Sequence, residues 1–170
     1  MDEGSHLAIT PIRLATAADL DAINDIYNYY VLHSTCTYQI ALETTEGRSA
    51  WFAAHDANYP ITVAEGEGRV IGWGSLSPFR PRAAYRPTVE PSVYVHHDYH
   101  RRGVGRALLS DLIDRAKSLG FHSLIGGTDA EQTASLALQT SLGFVRVAHL
   151  RQAGYKFDRW LDVIYMQRML

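Results

Sequence analysis

An apolar run, Val93-Tyr94-Val95, leads through His96-His97-Asp98-Tyr99-His100 into Arg101-Arg102-Gly103-Val104-Gly105-Arg106-Ala107-Leu108. The pattern is a strand, a basic glycine-bearing turn and the start of an amphipathic helix. The first amides of a helix lack intrahelical partners and the macrodipole is positive there, so such an end binds anions. Glycines at 103 and 105 let a phosphate approach the backbone with no Cβ in the way. Arg101, Arg102 and Arg106 add guanidinium groups that can pair with phosphate through two parallel bonds. A tight turn under a helix, with its arginines solvated, would use the same residues, so spacing alone leaves both readings open. A P-loop is excluded because no Gly-x-x-x-x-Gly-Lys-Ser/Thr is present. A dinucleotide fingerprint starting at Gly103 needs a third small residue where this chain has Leu108. What survives is a diphosphate site for some other ligand.

Three residues before Val93 stands Glu90, between a stretch rich in Arg and Pro and the apolar strand. A carboxylate there can take a proton from an amine, directly or through water, if its pKa is raised. An exposed glutamate at a strand start is the plain alternative. Residues 77–91 hold four prolines and three arginines, flanked by strand-like runs, and read as a functional loop rather than a linker. The histidines at 96, 97 and 100 alternate along a strand end and run into a loop, so no metal site is expected of them.

The whole chain sets limits on what these residues serve. Its 170 residues make about one domain, and 46% hydrophobic with 20% charged residues excludes disorder. Sixteen basic against eighteen acidic side chains give a net charge of -2. No bulk field draws nucleic acid, so no nucleic-acid partner is expected and any anion site must be local. The single cysteine, Cys36, excludes an intramolecular disulfide and suits a reducing compartment. No run approaches the roughly 20 apolar residues of a membrane span, and the acidic first residues are unlike a signal peptide. The expectation is a cytoplasmic protein with no membrane partner. Gly4-Ser5-His6 resembles a cloning scar, so residues 1–8 are set apart as disordered or cloning-derived and residues 9–170 are taken as one domain.

The positioning elements follow from periodicity and punctuation. Residues 9–14 read as a strand, and Thr16-Ala17-Ala18-Asp19 as a capping box opening a helix to about Leu32. Residues 46–57 form a weaker helix. Strands at 61–65 and 69–76 flank a Gly66-Glu67-Gly68 turn, and another strand spans 92–96. Residues 103–119 carry Val104, Leu108, Leu109, Leu112, Ile113 and Ala116 on one stripe, with Gly120 as the stop. A short strand at 124–127, a helix at 130–142, and strands at 144–150 and 162–169 complete the order. Meandering strands followed by alternation with helices predict an α/β fold with a mixed sheet.

The stretch from Arg101 to Leu109 resembles the acetyl-CoA pyrophosphate loop of the GNAT acyltransferases. Ile26-Tyr27-Asn28, Tyr59-Pro60-Ile61, Glu90-Pro91-Ser92-Val93-Tyr94-Val95, Leu142-Gly143-Phe144 and the run from Gly154 to Asp162 are similar to one branch of them. That branch is the phosphinothricin and methionine sulfone or sulfoximine N-acetyltransferases. The resemblance spans about residues 9–169, and the Glu-x-Ser-Val-Tyr-Val and Gly-x-Lys-Phe-x-x-Trp-x-Asp patterns are far more specific than the loop.

The resemblance implies a GNAT fold, with a mixed, mostly antiparallel sheet of about six or seven strands flanked by helices. It implies acetyl-CoA lying between the fourth and fifth strands. Pantetheine would pair with Val93, Tyr94 and Val95, the pyrophosphate with residues 101–106, and Gln132 and Ser135 would add polar contacts. Glu90 becomes the base, the Val95 amide holds the developing oxyanion, and Arg80, Arg86 and Tyr38 join Glu90 around a small amino-acid substrate. Two departures stand out. His100 replaces the usual Gln or Arg, and Gln139 occupies the place of a Tyr or His that would protonate the thiolate. An amide cannot do that. A homodimer is implied, with residues 160–170 as a candidate contributor. Acetylation of a protein N-terminus or lysine, or a non-catalytic acyl-CoA sensor, are the competing readings. A sensor has no use for Glu90, and a protein substrate needs an open groove.

Overall fold

Thr16 separates the first strand from the first helix. Its backbone N–H donates to Asp19 Oδ2 at 2.7 Å, and Arg13 donates to both oxygens of Asp19 at 2.8 and 2.9 Å. The acid is thus fixed by a cap on one side and a guanidinium on the other, which holds its carboxyl below the usual range. A 3₁₀ turn, Ala17–Asp19, then feeds the first helix. The computed structural model describes residues 11–170, so the expected strand start at Ile9 and the residues set apart at 1–8 lie outside it.

In chain order the elements are β1 (Arg13–Leu14), α1 (Leu20–His33), α2 (Thr45–Ala53), β2 (Ile61–Gly66), β3 (Arg69–Pro78), β4 (Thr88–Val95), α3 (Val104–Ser118), β5 (Ser123–Asp129), α4 (Thr133–Ser141), β6 (Val145–Lys156) and β7 (Arg159–Met169). The seven strands form one sheet in the order β1-β2-β3-β4-β5-β7-β6. Only β4 and β5 run parallel. The expected α/β, mostly antiparallel architecture is what the chain adopts.

Helices cover both faces. All six residues of the α3 stripe are buried, packing on Leu76, Val89, Leu124, Ile164 and Met166 of one face. On the other face α1 sets Ile23, Ile26 and Tyr30 against Ile61, Val63 and Trp73. Glu67 and Gly68 both have positive φ, 54° and 76°, so the β2–β3 connection is the tight two-residue hairpin whose twist matches the strands.

The expected loop at 77–91 is shorter than its prolines suggested. Ser77 and Pro78 extend β3, and Thr88 to Pro91 begin β4. A proline inside an internal strand normally removes a ladder bond. Here it removes none that β3 needs. The His96 N–H donates to Ile71 O at 2.8 Å, so by antiparallel alternation Tyr94, Ser92 and Glu90 also turn their amides to β3. Val89, Val93 and Val95 turn theirs toward β5, and Pro91 occupies the remaining β5-facing position.

Pairing between β4 and β5 covers only Thr88 with Ser123 and Val89 with Leu124. The next β5-facing position on β4 is Pro91, which has no N–H, and the ladder stops. β5 continues to Asp129 paired along its length with β7, while β4 continues to Val95 paired only with β3. The two strands splay apart from a vertex at Val89.

Candidate active site

Along the open side of β4, the amides facing the splay are those of Val93 and Val95. The Val95 carbonyl is already engaged: the Tyr30 hydroxyl of α1 donates to it. The same hydroxyl lies 2.5 Å from His100 Nε2. A phenol has one hydrogen, so with that hydrogen on Val95 O the imidazole is the donor and Nε2 carries the proton. His100 therefore reaches the strand end through Tyr30.

Beyond β4 the chain turns into α3. Gly103 has φ +84°, a left-handed backbone that a side chain would strain. Gly105 is different. It is helical, and a Cβ built there would meet only Leu138 Cδ2 at 3.4 Å and Val95 Cγ2 at 3.6 Å. Neither backbone nor packing requires a glycine at 105, so its bareness serves space outside the chain. The first intrahelical bond of α3 runs from Ala107 N to Gly103 O at 3.0 Å, leaving the amides of Val104, Gly105 and Arg106 without helical partners. Arg101 and Arg102 are exposed, the latter with its guanidinium 5.0 Å from the Tyr99 ring centre. Arg106 instead donates to Ser141 Oγ at 2.7 Å, tying α3 to the end of α4.

Glu90 is half-buried at the narrow end of the splay. Burial raises its carboxyl above the usual range, opposed by the Gly127 amide that donates to it and by the nearby charge of Arg80. Alternation puts Glu90, Ser92 and Tyr94 on the face packed by α1 and α2. Arg86 follows the 3₁₀ turn Ala83–Tyr85 and is exposed, and its guanidinium makes no hydrogen bond or ion pair among the described residues. Tyr38 is partly buried. Its hydroxyl donates to Asp129 Oδ2 at 2.6 Å and reaches Asp162 O at 3.2 Å, at the wide end of the splay.

On α4, Gln132 directs its amide to Thr35 Oγ1 at 3.1 Å and Ser34 Oγ at 3.4 Å. Ser135 Oγ accepts from Gln139 Nε2 at 3.3 Å. Gln139 itself is buried and donates to Thr128 Oγ1 at 2.8 Å, so its amide holds β5 against α4. Ligand atoms of His96, His97 and Asp98 lie within 4.8 Å of one another, with His96 Nδ1 accepting the Asp98 amide at 3.2 Å. A groove of about 700 Å³ between α2 and the end of α3 is lined by none of the candidate site residues.

Sequence reasoning missed a second set of residues. Asp129, buried, accepts from Thr35 Oγ1 at 3.0 Å, from Tyr38 and from the Glu131 amide at 2.9 Å. Lys156, buried, donates to Ser34 O at 2.7 Å and Thr37 O at 2.8 Å, with Tyr30 O at 3.5 Å. Gly154 makes room for Tyr38, because a Cβ there would lie 2.3 Å from the ring. The Gly-x-Lys pattern carried this signal, since glycine two residues before a lysine in a strand has no local reason to exist. Gly154→Ala is expected to destabilise the fold by about 1–2 kcal/mol, the range of a modest overpacking. A thermal melt that leaves the midpoint unchanged would show that Tyr38 can move aside freely.

The chain matches the Acetyltransferase (GNAT) domain over residues 12–165. It is 44% identical over 160 residues to L-amino acid N-acyltransferase MnaT of Escherichia coli strain K12, covering 94% of this chain and 93% of that protein. To the L-methionine sulfoximine/L-methionine sulfone acetyltransferase of Salmonella typhimurium it is 42% identical, covering 94% of each. The yncA acetyltransferase of Salmonella typhimurium, solved with its cofactor acetyl-CoA, superposes with a TM-score of 0.92 at 43% identity, over 96% of this chain and 94% of that one. Similarity of this extent in sequence and in the splayed sheet makes the chain a member of the GNAT acetyltransferase family, with acetyl-CoA as its acyl donor.

Proposed function

We propose that this acetyltransferase moves acetyl from acetyl-CoA to the α-amine of a small amino acid or analogue, of the methionine sulfone, methionine sulfoximine or phosphinothricin kind. The observation that carries the reading is Glu90: a half-buried carboxylate with a raised pKa at the narrow end of the splay, beside the charge of Arg80. The relatives' names supply the substrate class.

The residues present fit the donor. Pantetheine and the thioester carbonyl can share the free edge of β4 at Val95 and Val93, as an added strand does. The unpartnered amides of Val104 to Arg106, the bare Gly105 and the exposed Arg101 and Arg102 suit a pyrophosphate. Bound there, the donor supplies a thioester carbonyl open to attack. Glu90 takes the ammonium proton, directly or through one water, and leaves the amine nucleophilic.

The amide that holds the carbonyl oxygen must sit near the same amine. At about 3.3 Å per residue, Val95 lies about 16 Å along the strand from Glu90 and Val93 about 10 Å. Val93 is therefore the better-placed oxyanion donor, and Val95, its carbonyl taken by Tyr30, serves pantetheine. With the Gln139 amide committed to Thr128, water protonates the departing thiolate.

Arg80 and Arg86 give the loop its selectivity. A guanidinium clamps a free α-carboxylate through two bonds, and cationic amines meet like charge. Replacing Arg80 or Arg86, whichever is the clamp, with alanine is expected to raise KM for the amino acid by about 10- to 100-fold, the loss of a charged hydrogen bond of about 1.5–3 kcal/mol. Thiol release with acetyl-CoA against amino acids, their methyl esters and analogues tests this. If esters and acids react alike and both substitutions are silent, the acceptor is a protein N-terminus or a free amine instead.

The proposal includes a homodimer through β6. That strand is an edge of the sheet, and it exposes Val145, Val147 and Leu150, with Trp160 62% exposed at the adjoining turn. An apolar edge strand is a pairing surface. The rest of residues 160–170 lies in β7, whose ladders to β5 and β6 are both filled, which leaves the edge to β6. No helix among the described residues is long and apolar enough to cross a membrane.

A further inference from the structure

We propose that Lys156 sets the width of the acetyl-CoA slot, acting through residues 30–38 as a strap between the splayed ends of β4 and β5. It touches neither donor nor amine, so it is a positioning residue. The reading depends on the family's use of acetyl-CoA and is indifferent to which amine is acetylated.

The two strands that diverge from Val89 and Leu124 reach their ends at Val95 and Asp129. Nothing in the sheet joins those ends. The connection comes from the last turn of α1 and the residues after it. Tyr30 holds Val95 O on the β4 side. On the β5 side Thr35 donates to Asp129 Oδ1 at 3.0 Å and Tyr38 to Asp129 Oδ2 at 2.6 Å. Gln132 adds a bond from α4 to Thr35 at 3.1 Å. A segment of nine residues thus spans the mouth of the splay, anchored on each strand.

Such a segment is not rigid by its own backbone. The end of α1 leaves carbonyls without helical partners, and residues 34–38 belong to neither helix nor strand. Lys156 supplies what is missing. Its ammonium has three hydrogens, and the three acceptors in reach are the carbonyls of Tyr30, Ser34 and Thr37, all within the strap. A cation there also complements the negative end of the α1 dipole. Burial pulls the lysine pKa down, and the neighbouring Cys36 opposes this.

The lysine is itself fixed. It ends β6, where Lys156 pairs with Arg159 of β7 around a turn whose residues Phe157 and Asp158 have φ of 54° and 57°. Its Nζ stands 4.9 Å from the Phe157 ring centre. The β6–β7 hairpin, which lies on the far side of β5 from β4, thereby dictates the strap's shape, and the strap dictates how far Val95 stands from Asp129.

Direct binding of acetyl-CoA to the whole protein tests this, measured calorimetrically well below each variant's melting midpoint. Lys156→Met is expected to weaken donor binding about tenfold or more, with kcat at saturating donor within about threefold of the parent. Thr35→Val, which removes one of the two bonds to Asp129 on β5 and keeps the side chain's shape, is expected to shift donor affinity in the same direction by a smaller factor. It keeps the test open should Lys156→Met fail to fold. A purely structural lysine would lower the melting midpoint and leave the donor Kd unchanged in both variants, and that result overturns the proposal. So does a rise confined to the KM of the amine.

Discussion

Glu90→Gln is expected to lower kcat/KM by about 10²-fold or more at neutral pH, the low end for loss of a general base. An ammonium cannot attack a thioester, and the amide that replaces the carboxylate accepts no proton. Acetyl-CoA binding should stay close to that of the parent, because the glutamine keeps an acceptor oxygen for the Gly127 amide and the proposed role of the carboxylate is toward the amine. The pH profile gives a sharper readout. A base must be deprotonated to act, so activity rises with pH through the Glu90 pKa. Burial sets that pKa above its ordinary 4.5. The acid limb of the parent should therefore sit higher than for an exposed carboxylate and vanish in Glu90→Gln. A variant with full activity and an unchanged limb would leave the amine to lose its proton in bulk solvent.

Gly105→Glu is expected to abolish acetyl-CoA binding while the fold survives. The side chain fits its own neighbours, since the nearest contacts of a Cβ are ordinary van der Waals distances. Position 105 is in regular helix, so no backbone strain follows. What the glutamate adds is bulk and negative charge beside the free amides of α3, the proposed place of the phosphates. The parent should gain about 2.7 kcal/mol of stability at a hundredfold excess of acetyl-CoA over its dissociation constant, and the variant should gain none. A thermal shift with acetyl-CoA that is equal in the two proteins would move the pyrophosphate elsewhere.

The α3 stripe and the capping box at Thr16 were legible because each follows from spacing over one turn or more of a single element. The basic, glycine-bearing turn into α3 was legible for the same reason, although Arg106 bonds Ser141, a partner 35 residues away that spacing cannot indicate. Prolines misled the reading of residues 77–91. Pro78 and Pro91 look like loop residues until the register shows that no partner strand needs a donor from Pro91. Residues 34–38 gave no signal beyond the resemblance that singled out Tyr38, since their order comes from Asp129 and Lys156, about 90 and 120 residues distant in sequence. The Gly154 and Lys156 pattern was visible but silent as to cause. A glycine is explained by the Tyr38 ring it faces, and that ring arrives from the other end of the chain.

Pro91 has one more effect, on the ligand-free enzyme. Two parallel strands side by side tend to zip together, and each further rung would narrow the cleft before any donor arrived. Acetyl-CoA would then compete with the protein's own backbone for the Val93 and Val95 amides, and its affinity would fall by the cost of unzipping. An imino acid at 91 interrupts that process at the first step, and β7 keeps β5 occupied on its other side. The β4–β5 ladder thereby stops at Val89 without a donor to hold it open, and binding energy need not be spent on prising two strands apart.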